Sequence, residues 1–510
     1  EKRWEAAETS YAAAIQAGKE LLATAFTDAG RRTEIAENIE MHNRLVQISL
    51  NLQSDPHYVR QSLVYAESGK ARTFLDQMSQ GDFPPPEELP ATLVKQERDL
   101  LEEKRQLVIQ LSASNLAHEA KTANQSAARP LRDLGQRHET IQTELRQVWE
   151  QMNHYPQAQE YVALRRGDSP EWDDLTGLVE KLGSQTALVE FYLLNDQIVV
   201  FALRAGWSQP HVYTVPISQE KLWYRYVQPY RDEVGYNRTA ERQSHAEWRK
   251  LGTPLLEPLL DLLDDIRTVY FVPHGLLHLL PLHGMLVRGE AFIQHYAVAY
   301  APSAGVLSRL LNDRQPRATN GQTLIMGYTP NVAERNLFVG EEAAIAQLYK
   351  GTPLMDEQAN GELLRQNAPQ ADIIHLSCHG IFDSRDPLNS RVQLADGDFT
   401  ARDWMKLRLH ADLVTLSACQ TGIADIRQGD EIAGLTHALL YAGANSALVT
   451  LWSVNAASTQ EWMQDFYGAI HNSSGSAPLS KAQAFQQATL NLRAHYDDPY
   501  YWAPFILVGR

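Results

Sequence analysis

The spacing of apolar residues changes once along this chain, near Asp168. Before Asp168, apolar residues recur at intervals of three and four, which predicts amphipathic helices. After it, short continuous apolar runs appear, and from Thr323 onward they alternate with helical stripes. Strands that alternate with helices are typical of a mostly parallel sheet covered on both faces. We therefore predict an all-α region followed by an α/β region.

The first 80 residues predict packed helices. Trp4, Ala7, Tyr11 and Ile15 fall on one helical face, and residues 58–78 carry a similar stripe. This large–small–large order resembles the first helix of a tetratricopeptide repeat, in which small residues let two helices approach closely. Because one or two repeats do not form a stable solenoid, we expect residues 1–80 to be the end of an array that continued upstream. A plain helical bundle is the alternative.

A second helical segment follows a proline-rich break. Residues 81–90 contain four prolines, which end the first pattern. Leu93, Leu100 and Leu107 then recur every seven residues, which indicates a heptad seam. A matching stripe begins at Leu134. We predict an antiparallel helical hairpin over residues 91–165, with the charged residues 102–105 on a solvated face.

Strands and helices can be assigned through most of the second region. An apolar hairpin is predicted from residues 187–192 and 197–203, joined by the turn 194–196. Further strands are expected at residues 267–273, 296–301, 323–326, 372–378, 413–418, 446–452 and 503–508. Helices are expected at residues 341–349, 435–442, 460–470 and 481–494. Active sites of such sheets lie beyond the carboxyl ends of the strands.

Composition and charge narrow the class of protein. A chain of 510 residues predicts about two to four domains. The 46 Lys and Arg against 62 Asp and Glu give a net charge of −16, which disfavours nonspecific binding to nucleic acid. No apolar run reaches the roughly 18 residues of a membrane span, and no signal peptide opens the chain. Because the chain starts at Glu1 within a helical pattern, we interpret it as a fragment that lacks its N-terminal part.

Cys378 and Cys419 are the two cysteines of the sequence. A pair of thiols in a chain of this size excludes a disulfide framework. Without a secretion signal, the pair indicates a reducing compartment. We therefore expect a cytoplasmic protein.

Two predicted strands end in residues that could do chemistry together. His379 follows the strand 372–378 and Cys419 follows the strand 413–418, each with a glycine within three positions. A cysteine nucleophile acts as a thiolate, and a nearby histidine supplies the base or the stabilising cation. The backbone N–H groups of Gly380 and Cys419 could hold the developing oxyanion. The alternative is that both cysteines are packed core residues.

The order and spacing of this pair favour catalysis. His379 precedes Cys419 by 40 residues. The caspase signature places its histidine about 50 residues before a Gln-Ala-Cys block. Residues 417–422 read Ser-Ala-Cys-Gln-Thr-Gly, so the order and approximate spacing agree although the exact string does not. Together, on two successive strand ends, His379 and Cys419 are predicted to be a catalytic pair.

A metal site is the weaker interpretation of the remaining histidines and cysteines. His274, His278 and His283 lie close in sequence, but a zinc site needs further ligands with supporting hydrogen bonds. Structural histidines in a turn are favoured. Cys378 and His379 are neighbours on a strand and point to opposite faces, so we interpret Cys378 as core. No metal and no cofactor are expected.

Several sequence blocks together resemble a known family. Residues 375–380 read His-Leu-Ser-Cys-His-Gly, and residues 416–422 read Leu-Ser-Ala-Cys-Gln-Thr-Gly. Further matching blocks are residues 271–275, 279–282, 300–303, 441–444, 451–452 and 501–505. From about residue 186 to 510 the chain resembles a CHAT domain, the caspase- and separase-related peptidase domain often found behind tetratricopeptide repeats. The resemblance implies a caspase-like α/β fold, peptide-bond hydrolysis by a Cys419–His379 dyad, and a noncatalytic companion subdomain before the catalytic one.

One segment departs from the family pattern. Family members usually carry one or two acids just after the Trp-x-Val strand end, where related proteases bind a basic P1 side chain. Here residues 452–456 read Trp-Ser-Val-Asn-Ala, so that charge is missing. Asp430 and Glu431 could supply it, or they could begin a helix, where acids oppose the dipole. Ser453, Asn455, Asp430 and Glu431 are therefore candidate substrate-binding residues.

The predicted organisation has four parts. They are the end of a tetratricopeptide-like array (1–80), an antiparallel helical hairpin (91–165), a noncatalytic pseudo-caspase subdomain (168–315) and a catalytic caspase-like subdomain (316–510). We expect a cysteine endopeptidase that cleaves a protein substrate and is controlled by a protein bound through the N-terminal helices. Direct binding to nucleic acid or a membrane is not expected. The alternative is a catalytically silent CHAT-fold scaffold that binds partners.

Overall fold

The chain divides into two compact units, Glu1–Ser169 and Pro170–Arg510. We call them the helical unit and the sheet unit. The division falls where the spacing of apolar residues changes, near Asp168. The computed structural model describes residues 4, 10, 28–78, 85–86, 89–103, 128–155, 158, 161–162, 170–231, 247–312, 321–331, 335–381, 383, 387–419, 434–452, 456–471 and 479–510.

The first two helices whose bounds the structure describes in the helical unit are α1 (Asp28–Asn51) and α2 (Pro56–Met78). Asp55 begins α2, because its carboxylate accepts the backbone N–H of His57 at 2.8 Å. Pro56 suits the first helical position, because it has no N–H that needs a partner. The sequence therefore ends one helix and begins the next within four residues.

The tetratricopeptide assignment for residues 1–80 stays a prediction. The two helices have 24 and 23 residues. A tetratricopeptide unit of about 34 residues holds both of its helices, so each helix here is longer than such a unit provides. The predicted stripe of residues 4–15 lies almost wholly outside the described residues.

Two further helices pack in the helical unit: α3 at residues 91–103 and α4 at Ala128–Met152. They run antiparallel, because the order of their contacts is reversed. Glu97 of α3 accepts from Trp149 Nε1 at 2.7 Å, whereas the later Glu103 pairs with the earlier Arg137 at 2.7 Å. The buried residues of α4 include Ile141, Leu145, Val148 and Met152. These residues lie at the spacing of three and four that a buried helical face requires.

The sheet unit contains one large sheet and one small ribbon. The strands are β1 (Thr186–Leu193), β2 (Ile198–Arg204), β3 (His211–Val215), β4 (Thr268–Val272), β5 (Leu286–Val287), β6 (Glu290–Ala291), β7 (Ala297–Tyr300), β8 (Thr323–Gly327), β9 (Leu354–Met355), β10 (Ile373–Ile381), β11 (Arg391–Leu394), β12 (Gly397–Thr400), β13 (Leu413–Cys419), β14 (Ser446–Thr450) and β15 (Phe505–Gly509). The large sheet has the order β12-β11-β10-β13-β14-β15-β7-β4-β1-β2-β3, with β8 beside β10 and β9 beside β8. The small ribbon is β5-β6.

Helices flank this sheet. The α-helices of the sheet unit whose bounds the structure describes are α5 (Trp172–Leu182), α6 (Gln219–Leu222), α7 (Glu247–Lys250), α8 (Gly252–Leu255), α9 (Ala304–Asn312), α10 (Arg335–Tyr349), α11 (Gly361–Asn367), α12 (Ala401–Met405), α13 (Gly434–Ala442), α14 (Ala456–His471), α15 (Lys481–His495) and α16 (Pro499–Trp502). A π-helical turn spans Trp223–Val227, directly after α6. Among the residues that the structure describes, every helix is too short or too polar to span a bilayer.

The centre of the sheet is mostly parallel. Strands β8, β10, β13 and β14 run parallel to one another, and so do β15, β7, β4 and β1. Antiparallel pairs join β14 to β15 and form the outer hairpins β1-β2-β3 and β10-β11-β12. The predicted fold class, a mostly parallel sheet with flanking helices after an all-α region, is confirmed.

Some element boundaries differ from the sequence-based prediction. Strand β10 continues to Ile381 instead of ending at Cys378, because the hairpin β11-β12 pairs with Gly380 and Ile381. The sequence did not predict that hairpin, whose strands have four residues each. Helix α10 begins at Arg335, six residues before the predicted start. Strands of four residues are too short for a clear period, and the apolar residues at the start of α10 are the consecutive residues 337–339, which do not show helical spacing.

Candidate active site

The predicted catalytic pair occupies one rung of the sheet. Strands β10 and β13 are parallel neighbours, and His379 is the register partner of Cys419. Adjacent strands lie about 4.8 Å apart. Both positions are at the carboxyl ends of their strands, where active sites of such sheets form. The structure therefore brings the backbones of these two residues together.

The side chains of β10 alternate between the two faces of the sheet. Ile374 and Leu376 are fully buried, and Cys378 is nearly so. Because side chains alternate along a strand, these three share one face, and His375, Ser377 and His379 share the other. The buried Cys378 lies in the core, as the sequence predicts.

His379 is half-buried and contacts the end of the neighbouring strand β8. Its Nε2 lies 3.2 Å from the hydroxyl oxygen of Thr329. That hydroxyl also accepts the backbone N–H of Asn331 at 3.1 Å, so its own hydrogen is available for Nε2. The backbone N–H of Tyr328 donates to Ser377 O at 2.9 Å, which attaches this turn to β10.

Thr329 was not predicted as a site residue. One feature of the sequence could have indicated Thr329 as a site residue. Thr329 follows the predicted strand 323–326, and the carboxyl ends of parallel strands meet at one edge of the sheet. The choice among the polar residues after that strand depends on the pairing of β8 with β10, which sequence spacing does not reveal.

Gly380, the predicted oxyanion donor beside His379, lies within β10. It is the register partner of Val392 in the antiparallel β10-β11 pair. Its role toward an oxyanion stays a prediction, as does that of the Cys419 backbone N–H.

The candidate substrate-binding residues lie outside the described residues. Asp430 and Glu431 belong to the segment 420–433 after β13, and Ser453 and Asn455 to the segment 453–455 after β14. The residue before the second segment is Trp452, which is buried. Its Nε1 donates to Tyr500 O at 3.0 Å.

A buried polar cluster lies on the same face as His379. His375 is fully buried, and its Nδ1 lies 3.1 Å from the hydroxyl of Tyr467. Its Nε2 lies 3.1 Å from Ser377 Oγ and 3.0 Å from Glu341 Oε1. The Tyr467 hydroxyl is also 2.7 Å from Thr415 Oγ1 on β13. The cluster therefore joins β10 and β13 to helices α10 and α14.

A second carboxyl group completes this cluster. Glu342 is fully buried, and within the described part of the chain its carboxyl oxygens form no hydrogen bond. Burial, and to a lesser extent the neighbouring Glu341, raises the pKa of Glu342 to about 9. Glu342 is therefore protonated at neutral pH. Burial also raises the pKa of Tyr467 well above its usual value.

Two of the three clustered histidines of the sequence, His274 and His283, make packing contacts in the structure. His274 Nδ1 accepts the backbone N–H of Leu193 at 2.8 Å, and its ring stacks on Tyr192. His283 Nδ1 lies 2.9 Å from the Tyr300 hydroxyl. In the described ranges no group of three or more His, Cys, Asp or Glu side chains has a geometry that could hold a metal ion.

The profile of the family described as CHAT domain matches residues 245–510, more than half of the chain. The chain belongs to the CHAT domain family. The match begins after the position of about 186 that the sequence blocks indicated. It includes both strands that carry His379 and Cys419.

Two curated relatives share this sequence in part. Tetratricopeptide repeat protein 28 of Homo sapiens is 25% identical over 274 residues, which is 46% of this chain and 11% of that protein. The Mus musculus protein of the same name is 35% identical over 111 residues, 22% of this chain and 4% of that one. The chain therefore spans about a tenth or less of the length of these relatives.

Two solved structures of the Saccharomyces cerevisiae separase–securin complex are similar in shape. The 3.0 Å crystal structure has a TM-score of 0.47 at 9% identity and covers 95% of this chain and 44% of that one. The 2.6 Å crystal structure has a TM-score of 0.47 at 12% identity and covers 93% of this chain and 37% of that one.

Proposed function

We propose that the chain is a cysteine endopeptidase in which Cys419 is the nucleophile and His379 is the general base and acid. The observation that carries this proposal is the shared rung of His379 and Cys419 at the carboxyl ends of two adjacent parallel strands. Membership of the CHAT domain family supports it. His379 is half-buried, whereas His375 and Ser377 on the same face of β10 are fully buried.

The proposed reaction forms and breaks one thioester. The Cys419 thiolate attacks the scissile carbonyl carbon, and the backbone N–H groups of Gly380 and Cys419 hold the oxyanion. His379 gives a proton to the leaving amine as the peptide C–N bond breaks. It then takes a proton from the water that hydrolyses the thioester. The Thr329 hydroxyl holds the His379 ring during these steps.

In this proposal each segment of the chain has its own role. Residues 316–510 hold the catalytic pair, and residues 168–315 form the noncatalytic companion. The helices within residues 1–80 and 91–165 bind a protein that controls cleavage of a protein substrate, which is the usual task of a repeat-like helical surface. With both cysteines as thiols, the protein is suited to a reducing compartment such as the cytoplasm.

Cleavage by this pair can be tested on candidate protein substrates. We expect new peptide termini after incubation with the wild type and none with Cys419→Ala, measured by mass spectrometry. Cys378→Ser is the matched control, because Cys378 is the other cysteine and is buried on the face of β10 opposite to His379. Cleavage that depends on Cys378 and persists without Cys419 would contradict the assignment.

A catalytically silent scaffold is the second candidate function. The replacement of the expected acids by Asn455 and Ala456 favours it, because a substrate-binding element of the family is absent. A thiol-reactive probe separates the two functions, since a catalytic thiolate reacts far faster than an ordinary thiol. Slow alkylation of Cys419 at neutral pH, equal to that of Cys419 in His379→Ala, would favour the scaffold.

The missing acids also bear on specificity. A basic P1 side chain that is buried without a carboxylate loses its water and gains no charge partner, which costs several kcal/mol. Ser453, Asn455 and Ala456 cannot neutralise a cation, so we propose that neutral and polar P1 residues are accepted. Alternatively, Asp430 or Glu431 restores the charge.

A peptide library that varies P1 decides between these alternatives. We expect cleavage after several neutral residues. Near-exclusive cleavage after Arg or Lys would contradict this, and loss of that preference in Asp430→Asn or Glu431→Gln would establish the acidic alternative.

A further inference from the structure

The buried cluster on the face of His379 has no part in the proposed reaction. We define it as Glu341 and Glu342 of α10, His375 and Ser377 of β10, and Tyr467 of α14. All five side chains are buried. A carboxyl pair buried beside a histidine is costly, because each ionisable group loses its hydration. Departures of this kind from ordinary core packing concentrate at functional sites.

The cluster lies one step below His379 along β10. Ser377 and His379 are two residues apart on the same face, which is about 6.6 Å along a strand. The register partners Ser417 and Cys419 repeat this order on β13. Any change in the position of Ser377 is therefore passed directly to the rung that carries the catalytic pair.

A second connection runs through the turn after β8. Glu342 lies so close to Gly327 that a Cβ on this glycine would be 2.7 Å from Glu342 Oε1. The same Cβ would be 2.7 Å from the Met355 side chain, so a larger residue would require Glu342 and Met355 to shift. The next residue, Tyr328, donates its N–H to Ser377 O, and Thr329 then contacts His379. The cluster thus contacts this turn at both Glu342 and Ser377.

We propose that the buried cluster positions His379, by holding the turn of residues 327–329 so that the Thr329 hydroxyl contacts His379 Nε2. This inference rests on the proposed protease function and names further residues for the same site. Its members do not touch substrate, and they act through Thr329 and the strand end of β10. They are positioning residues.

Three members of the cluster, Glu341, Ser377 and Tyr467, lie within 3.1 Å of the ring nitrogens of His375. Tyr467 holds one nitrogen of His375, and Ser377 and Glu341 share the other. Glu342 lies against Gly327, at the end of β8. The titratable groups that face this region are Glu341, Glu342 and Tyr349 from α10, His375 from β10, and Tyr467 and His471 from α14.

The chain offers matched controls for two members of the cluster. Tyr300 is buried and its hydroxyl contacts Nδ1 of the buried His283, as Tyr467 contacts His375. Ser446 is buried at the opposite end of a central strand, where its Oγ donates to Asp412 O at 2.7 Å. Removal of these hydroxyls disturbs buried polar groups of the same kind far from His379.

The test compares Tyr467→Phe and Ser377→Ala with Tyr300→Phe and Ser446→Ala in the full chain. We expect kcat to fall about tenfold or more in the first two variants, with KM within about twofold, and to stay within about twofold in the controls. Thermal melting gives the loss of stability, which should be of similar size in all four. Equal kcat in all four variants, with equal losses of stability, would overturn the proposal.

A second readout does not depend on cleavage. The ring signals of His379 can be recorded by histidine-selective NMR and assigned by their disappearance in His379→Gln. We expect them to shift in Tyr467→Phe and Ser377→Ala and not in the controls. If they shift but no substrate is cleaved, the protease function fails and the positioning stands. If the wild type cleaves and the signals stay in place, the positioning is refuted.

Discussion

The two halves of the sheet unit each carry a histidine at the carboxyl end of a parallel strand and a second, buried histidine held by a tyrosine. In the half before residue 316 these are His274 after β4 and the His283–Tyr300 pair. In the half after it they are His379 on β10 and the His375–Tyr467 pair. The same residue types thus occur in both halves in different surroundings.

The strand-end histidines differ in what holds them. His274 accepts a backbone N–H and lies flat on Tyr192, with ring centroids 4.4 Å apart. These contacts commit its ring to packing. His379 contacts the side-chain hydroxyl of Thr329 and stays half-buried. A histidine that must move protons needs an accessible nitrogen, and the second arrangement suits that task better.

The buried histidines differ in their electrostatic surroundings. His283 packs edge-on against Phe485 and Tyr300, and burial lowers its pKa to about 3. It is therefore neutral. His375 lies beside Glu341, and the neighbouring carboxyl group of Glu342 is protonated. The His283–Tyr300 pair is therefore part of an aromatic core, whereas the His375–Tyr467 pair belongs to a polar cluster next to His379 and Cys419.

The largest expected difference between the halves is in activity. His379→Ala should reduce cleavage about 10⁵-fold or more, because nucleophile and base act as one unit. His274→Ala should leave kcat within about twofold and lower stability by about 1–3 kcal/mol, since it leaves the Leu193 N–H without its acceptor. Steady-state kinetics and urea unfolding measure the two effects. A catalytic loss in His274→Ala comparable to that of His379→Ala would remove the distinction between the halves.

The second expected difference is the alkaline dependence of stability. Between pH 4.5 and about 9, folded Glu342 keeps a proton that the unfolded chain releases, so the free energy of unfolding falls as pH rises. This pKa shift corresponds to about 6 kcal/mol over the whole window. We expect Glu342→Gln to remove most of that slope in urea unfolding at pH 6, 7.5 and 9. Glu362→Gln on the exposed surface of α11 is the control, and an unchanged slope in Glu342→Gln would contradict a protonated Glu342.

The third expectation concerns the half before residue 316, where the dependence of stability on pH has the opposite sign. Below pH 6.5 the His283 side chain is protonated in the unfolded chain, but in the folded protein it stays neutral down to about pH 3. Because the unfolded state then binds the extra proton, the free energy of unfolding falls as pH decreases. The shift corresponds to about 5 kcal/mol over the window. His283→Gln should reduce the loss of unfolding free energy at low pH, as measured by urea unfolding between pH 4 and 7. If His283→Gln loses stability at low pH as the wild type does, other groups cause that loss.

A smaller effect is expected at the residue that holds His379. Thr329→Val keeps the shape of the side chain and removes the hydroxyl, so kcat should fall about tenfold while KM changes little. Thr489→Val is the matched control, because the Thr489 hydroxyl accepts from Trp462 Nε1 at 3.1 Å in the core. Kinetics with one peptide substrate compare the two. Equal kcat values would mean that His379 needs no contact from Thr329.

The smallest effect is expected from metal removal. A chelator titration of the wild type should change kcat less than about twofold, because the proposed steps use only the thiolate, the imidazole and backbone N–H groups. Loss of cleavage that zinc or calcium restores would show that a metal takes part.

The sequence was sufficient to locate the candidate pair but not the residues that support it. His379 and Cys419 each follow an apolar run with a nearby glycine, and that pattern is local. Thr329, Glu342 and Tyr467 were not predicted, because their relation to His379 arises from contacts between distant segments. Adjacent acids on a helix usually indicate a solvated surface, which made Glu342 inconspicuous.

By itself the sequence determined most of the longer helices and central strands, and it placed His379 and Cys419 near the carboxyl ends of two of those strands. These features depend on the spacing of apolar residues, which can be read from positions close together in the sequence. Only the tertiary structure decided that His379 and Cys419 share a rung, that His274 is committed to packing, and that Glu342 is buried and protonated. Strand register and helix orientation depend on long-range pairing, and the surroundings that shift a pKa exist only once those elements have packed together.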